Sequence, residues 1–124
     1  MPLQPFRAEV SGGAARVTIT LSGDINVNAA DGLAAAYADA AARGAQLIVL
    51  DFSGSGYINS TGIALIVRLL ADARGAGREV HAAGLSPHYT EIFRITRLSD
   101  YMQIEDADVN VATQGPAAAT GGDR

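Results

Sequence analysis

Cysteine, lysine and tryptophan are all absent from this sequence, and aromatic residues make up only 6% of its 124 positions. Without cysteine there are no disulfides, no thiolate metal ligands and no cysteine nucleophile. Without lysine there is no Walker-type phosphate loop, which uses that side chain on the nucleotide. Few aromatics mean that the core must be built from Ala, Val, Ile and Leu, which a chain 48% hydrophobic supplies amply. All nine basic residues are arginines and the formal net charge is −4. The basic patch that nucleic-acid phosphates demand is therefore not expected. The apolar helical run at 62–71 falls well short of the ~20 residues that span a bilayer, so membrane insertion is not expected either. The opening "MPLQPFRAEV" has no apolar stretch of the kind a signal peptide carries. These absences predict one soluble, cytoplasmic domain.

What is present has a legible order. In "ARVTITLSG", Val17, Ile19 and Leu21 alternate with Arg16, Thr18 and Thr20, the period-two pattern of a half-buried strand. A preceding strand from Phe6 to Val10 can pair with it as a hairpin across Ser11-Gly12-Gly13. The Ala-rich segment that follows places Leu33, Tyr37 and Ala40 or Ala41 on one helical stripe, with Asn28 as N-cap and Gly44 as stop. "QLIVLDF" reads as a central strand covered on at least one face. A helix from Gly62 brings Ile63, Ile66, Val67 and Leu70 together and stops at Gly75. "REVHAAG" is a further strand, "SPHYTEIFRITR" a short helix capped by Ser86 with Pro87 at its first position, and "YMQIED" a last short strand. The order β-β-α-β-α-β-α-β predicts a mixed sheet with crossover helices, an α/β or α+β fold. Residues 107–124, ending "TQGPAAATGGDR", have the composition of a disordered tail, which leaves 1–106 as the domain.

Between the central strand and its helix lies a polar island, "DFSGSGYINSTG". Enzyme templates fail on it. A nucleophile elbow centred on Ser60 needs Gly at position 58, where Ile stands. The dinucleotide fingerprint begins at Gly54 and Gly56 but meets Asn59 in place of its third Gly. His81 and His88 are the two histidines, each expected to stand apart from paired carboxylates and so to be an ordinary structural or surface residue rather than a metal ligand. Asn59-Ser60-Thr61 is formally a glycosylation acceptor, a reading that the missing secretory signal removes. Ser60 and Thr61 sit where a loop enters a helix, whose first N–H groups lack partners and carry partial positive charge. A hydroxyl there either caps the helix or carries a phosphate. Capping is the commoner role.

Three segments, "LSGDINVNAADGL", "LIVLDFSGSGYINSTGIALIVRLL" and "GREVHAAGLSPHYTEIFRITRLSDYMQI", occur in the order and spacing of the STAS domain, the fold of anti-sigma-factor antagonists. The resemblance runs from about Val17 to Ile104. It implies a STAS-type mixed sheet with helices packed mainly on one face, and a binding protein with no catalysis and no cofactor. In that family a serine in a D-S-x-G turn is phosphorylated by a partner that is both anti-sigma factor and GHKL-type serine kinase, and a PP2C-type phosphatase resets it. Carried over, Ser60 matches the phosphoacceptor, with Thr61 the lesser candidate, and Thr61 and Gly62 complete the turn. Asp24 and Asn26 match the early acidic loop beside it. Residues 54–62, including Gly56, Tyr57 and Asn59, and the exposed side of the following helix form the expected partner-binding face.

Two positions depart from the family pattern: Asn59 stands for the acid before the serine, and Asn26 for the second acid of the early loop. Both convert a carboxylate to an amide beside the same hydroxyl. A second reading therefore stands beside the switch: a STAS scaffold or adaptor, as in stress-signalling or lipid-transport complexes, that needs no phosphorylation. An enzyme using Ser60 as nucleophile lacks an evident base, and a nucleotide-binding role is a minor further possibility.

Overall fold

The structure, a computed structural model, describes residues 5–105; the expected tail from Ala107 onward lies outside the described residues. Five strands form one mixed sheet in chain order, β1 (Arg7–Gly12), β2 (Arg16–Ile25), β3 (Leu47–Ile58), β4 (Glu79–Ala83) and β5 (Gln103–Ile104). The hairpin partner β1 is antiparallel to β2 and the other neighbours are parallel. Parallel neighbours need crossovers, supplied by α1 (Ala30–Ala42), α2 (Ser60–Gly75) and α3 (Pro87–Ile95). The expected mixed sheet with crossover helices is thus found.

Alternation along the strands decides which face the helices cover. Val17, Ile19 and Leu21 of β2, Ile48, Leu50 and Phe52 of β3, and Val80 and Ala82 of β4 join one buried cluster with Leu33 and Ala36 of α1, Ile66 and Leu69 of α2, and Phe93 of α3. Phe93 meets Phe52 edge to face at a centroid distance of 5.6 Å, a geometry that adds to the area both rings bury. The alternate positions Thr18, Thr20, Asp51 and His81 lie on the opposite face, in reach of water. Aliphatic residues dominate the cluster, as the scarcity of aromatics requires.

Local rules account for the helix ends. Ser86 accepts from Tyr89 N–H at 3.2 Å with Pro87 behind it, as the sequence suggests. Gly44 stops α1 with φ of 76°, a conformation cheap only for glycine. At the other end of α1 the expectation shifts. Asn28 is not the cap; a short 3-10 turn over Val27–Ala29 precedes the helix, and Asn26 caps that turn by accepting from Asn28 N–H at 2.9 Å. Helix α2 turns slightly from its predicted face: Leu69 and Ala73 are buried, whereas Val67 is 44% exposed. The larger difference is β3, which does not end at Phe52 but runs through most of the polar island to Ile58. Its glycines and serines read as a loop, yet β2 continues beside them, pairing Ser22 with Gly54 and Ile25 with Ile58 across two register shifts that re-aim the strand as bulges do.

Candidate functional site

The extension of β3 delivers Asn59 and Ser60 to one end of the sheet with almost no loop between strand and helix. Asn59 is extended, with φ of −90°, and its side-chain oxygen accepts from Gly62 N–H at 2.8 Å. Its own N–H donates to the Ile25 carbonyl at 3.2 Å, tying the junction to the end of β2. Asn59 is therefore the N-cap of α2, the duty that the sequence offered to Ser60 or Thr61. Ser60 occupies the first helical position and is exposed, as is Thr61. An amide oxygen caps about as well as a carboxylate, so Asn59 starts the helix without placing a charge beside Ser60.

Gly62 is buried. A Cβ there would overlap the Ile25 carbonyl oxygen and lie 2.8 Å from the carbonyl carbon and 3.1 Å from Ile25 Cγ2. Glycine lets the first turn of α2 rest on the backbone of β2.

The early loop closes on the same end of the sheet. Asp24 accepts from Tyr57 N–H at 3.0 Å, bridging β2 to the extended part of β3, and Asn26 is held by its bond to Asn28. Tyr57 is 80% exposed and Val27 64% exposed, an unusual display for a chain so poor in aromatics. Gly56, which precedes Tyr57 in β3, is half-buried. The sequence-predicted residues are thus brought together around the start of α2. Two contributors went unrecognised in the sequence. Val27 follows the acidic loop without a pattern of its own, and Tyr89 of α3 accepts from Ile58 N–H at 2.9 Å across 31 positions, a contact that no local signal announces.

The histidines differ from expectation in one respect. His81 does not stand apart from carboxylates: Nδ1 lies 2.9 Å from Glu105 Oε2 and Nε2 lies 2.8 Å from Glu79 Oε2. Burial lowers its pKa, but hydrogen bonds and charge from the two glutamates outweigh that and leave it above the ordinary 6.5. Among the described residues no cluster of His, Asp and Glu has the arrangement of a metal site. No helix among them is long and apolar enough to cross a membrane.

A family model described as "Mlab, STAS domain" matches residues 8–105. A search of curated proteins finds no significant match. Among solved structures, an anti-sigma factor antagonist from Mycobacterium paratuberculosis is 17% identical with a TM-score of 0.69, over 82% of this chain and 86% of that one. The Bacillus cell fate determinant SpoIIAA in its phosphorylated form is 19% identical with a TM-score of 0.62, over 86% and 96%. The unphosphorylated form of SpoIIAA aligns at 19% identity and a TM-score of 0.63, over 82% and 88%. At such identities the likeness is one of fold. The family match covers nearly the whole described domain, and on that ground the chain belongs to the STAS domain family.

Proposed function

We propose that this protein is an anti-sigma factor antagonist that works by binding rather than turnover, and that phosphorylation of Ser60 by a GHKL-type anti-sigma factor kinase switches the binding off. The observation that carries the reading is the division of labour at the start of α2. Asn59 does the capping, which leaves the exposed Ser60 hydroxyl free of structural duty at the first helical position. Gly62 N–H is taken by the Asn59 side chain and Ile63 N–H by the Asn59 carbonyl. The N–H groups of Ser60 and Thr61 remain as the helix's unpaired donors, suited to an anion. A phosphate there is compatible with the fold.

Its effect falls on the partner. Tyr57 and Val27, both largely exposed, supply apolar surface around Ser60 for a binding face. Phosphorylation adds about −1.5 to −2 charges. Desolvating them inside such an interface costs affinity, tenfold for each ~1.4 kcal/mol. A PP2C-type phosphatase completes the cycle. The test incubates the protein with a candidate kinase-type anti-sigma factor and ATP and maps phosphate by mass spectrometry. The expected outcome is phosphate on Ser60, binding retained by Ser60→Ala and weakened by Ser60→Asp. Absence of phosphate on Ser60 and Thr61, with binding unaffected by Ser60→Asp, refutes the switch.

One observation favours a second reading, an adaptor that is not phosphorylated. Asn26 and Asn59 stand where the family pattern has acids, and both amides are committed to capping. Asp24 is the remaining acid of the early loop, and its carboxylate is engaged by Tyr57 N–H. That refuting outcome is the result this second reading expects.

A further inference from the structure

The sheet face opposite the helices holds a cluster that the Ser60 site does not use. His81 lies in the middle of β4 with its side chain 15% exposed, and its two ring nitrogens each meet a carboxylate oxygen, at 2.8 and 2.9 Å. An ionised carboxylate only accepts hydrogen bonds. Both contacts are satisfied together only when both nitrogens carry hydrogen, as in the imidazolium ion. A neutral ring has one N–H, and its other nitrogen then presents a lone pair to a carboxylate oxygen.

The two carboxylates are not equivalent in the fold. Glu79 lies two residues before His81 on the same strand, so it reaches the ring from the same face. Glu105 comes from beyond β5, the two-residue strand at the edge of the sheet. That strand is aligned through His81 with Gln103 and Ala82 with Ile104, and Glu105 N–H donates to the Ala82 carbonyl at 2.7 Å. From β3 the ring faces its ladder partner Val49, which is 3% exposed. The neighbouring Asp51 carboxylate accepts from Ser53 N–H at 2.9 Å. One ladder row away, Leu47 separates Glu79 from Arg16 on β2.

We propose that His81 is a proton-operated pin that fastens the edge strand β5 to the sheet. The protonated ring holds Glu79 and Glu105 at once; when it gives one proton to water, it keeps a single carboxylate and the hold on β5 weakens. The same two glutamates raise the ring's pKa above 6.5, so release comes as pH rises through that higher value. A loosened β5 uncovers the outer edge of β4, including the Ala82 carbonyl, and an uncovered edge is where another strand can pair.

A pH series of NMR spectra on the full chain tests this. The Cε1–H shift of His81 follows its protonation. The exchange protection of Glu105 N–H, corrected for base catalysis of intrinsic exchange, follows β5. The expected result is titration above 6.5, with protection falling about three- to tenfold in the same step, the worth of one partly exposed charge-assisted hydrogen bond. In Glu105→Gln the titration moves down and the step in protection disappears; in His81→Gln there is no step. Titration at or below 6.5, protection that stays flat through the titration, or a step that survives in Glu105→Gln each overturns the proposal. The last variant decides even if His81→Gln fails to fold.

Discussion

Replacing Asn59 separates the capping residue from the hydroxyls that follow it. In Asn59→Ala the 2.8 Å bond to Gly62 N–H is lost, leaving a third unpaired donor beside those of Ser60 and Thr61. Loss of an N-cap side chain costs about 1 kcal/mol, which in a domain of this size lowers Tm by about 3 to 6 °C. Asn59→Asp should do the opposite. It keeps the acceptor and adds negative charge at the positive end of α2, a gain of about 0.3–1 kcal/mol that fades as salt screens it. Ser60→Ala, at an exposed first-turn position without a capping role, should stay within about 0.5 kcal/mol of the parent. Urea unfolding of the three variants at low and high salt checks the whole pattern. If Ser60→Ala costs as much as Asn59→Ala, or Asn59→Ala costs nothing, the hydroxyl is the cap. Ser60 is then not free for modification.

Other perturbations probe the frame around the site. Gly62→Ala gains up to about 1 kcal/mol in helix propensity, but forces a Cβ against the Ile25 backbone, an overpacking cost of about 1–3 kcal/mol. A net loss is expected in urea unfolding, and a stabilised variant would disprove the close approach of α2 to β2. Tyr89→Phe deprives Ile58 N–H of its acceptor and should cost about 1–3 kcal/mol, with faster amide exchange at Ile58 as the local readout. For His81, the folded pKa lies above the ordinary value of 6.5, so its contribution to stability is full below that value and is lost as pH rises through the folded one. The stability gap between the parent and His81→Gln should therefore narrow across that rise, and a gap that widens refutes the pairing.

Where one residue's neighbours in sequence are also its neighbours in space, the sequence was readable. The alternation of β2, the capping of α3 by Ser86 before Pro87, and the glycine stop of α1 are such cases, and together with the segment order they were enough to anticipate the architecture. Misreadings arose where a distant partner decides the outcome. Gly54, Ser55 and Gly56 have poor strand propensity, yet they extend β3 because β2 continues beside them. Val67 and Leu69 traded places because the stripe that α2 buries runs through Ile66, Leu69, Leu70 and Ala73, which only its tertiary neighbours select. At the site, Ser60, Asn59 and Asp24 could be singled out, but not which of the polar residues caps α2. Of the two carboxylates that meet His81, Glu79 lies only two positions away and was open to a local reading, whereas Glu105 lies 24 positions away.

The extended part of β3 also has a mechanical meaning. Its pairing with β4 ends at Asp51, so the seven residues to Ile58 project beyond β4 like a beam clamped along one side to β2. On the unclamped side, Tyr89 of α3 props the tip by its hydroxyl against Ile58 N–H. The beam's end is joined directly to Asn59 and Ser60. A push on α3 would therefore be felt through one phenol at Ile58, two residues before Ser60, a short lever from a segment remote in sequence to the start of α2.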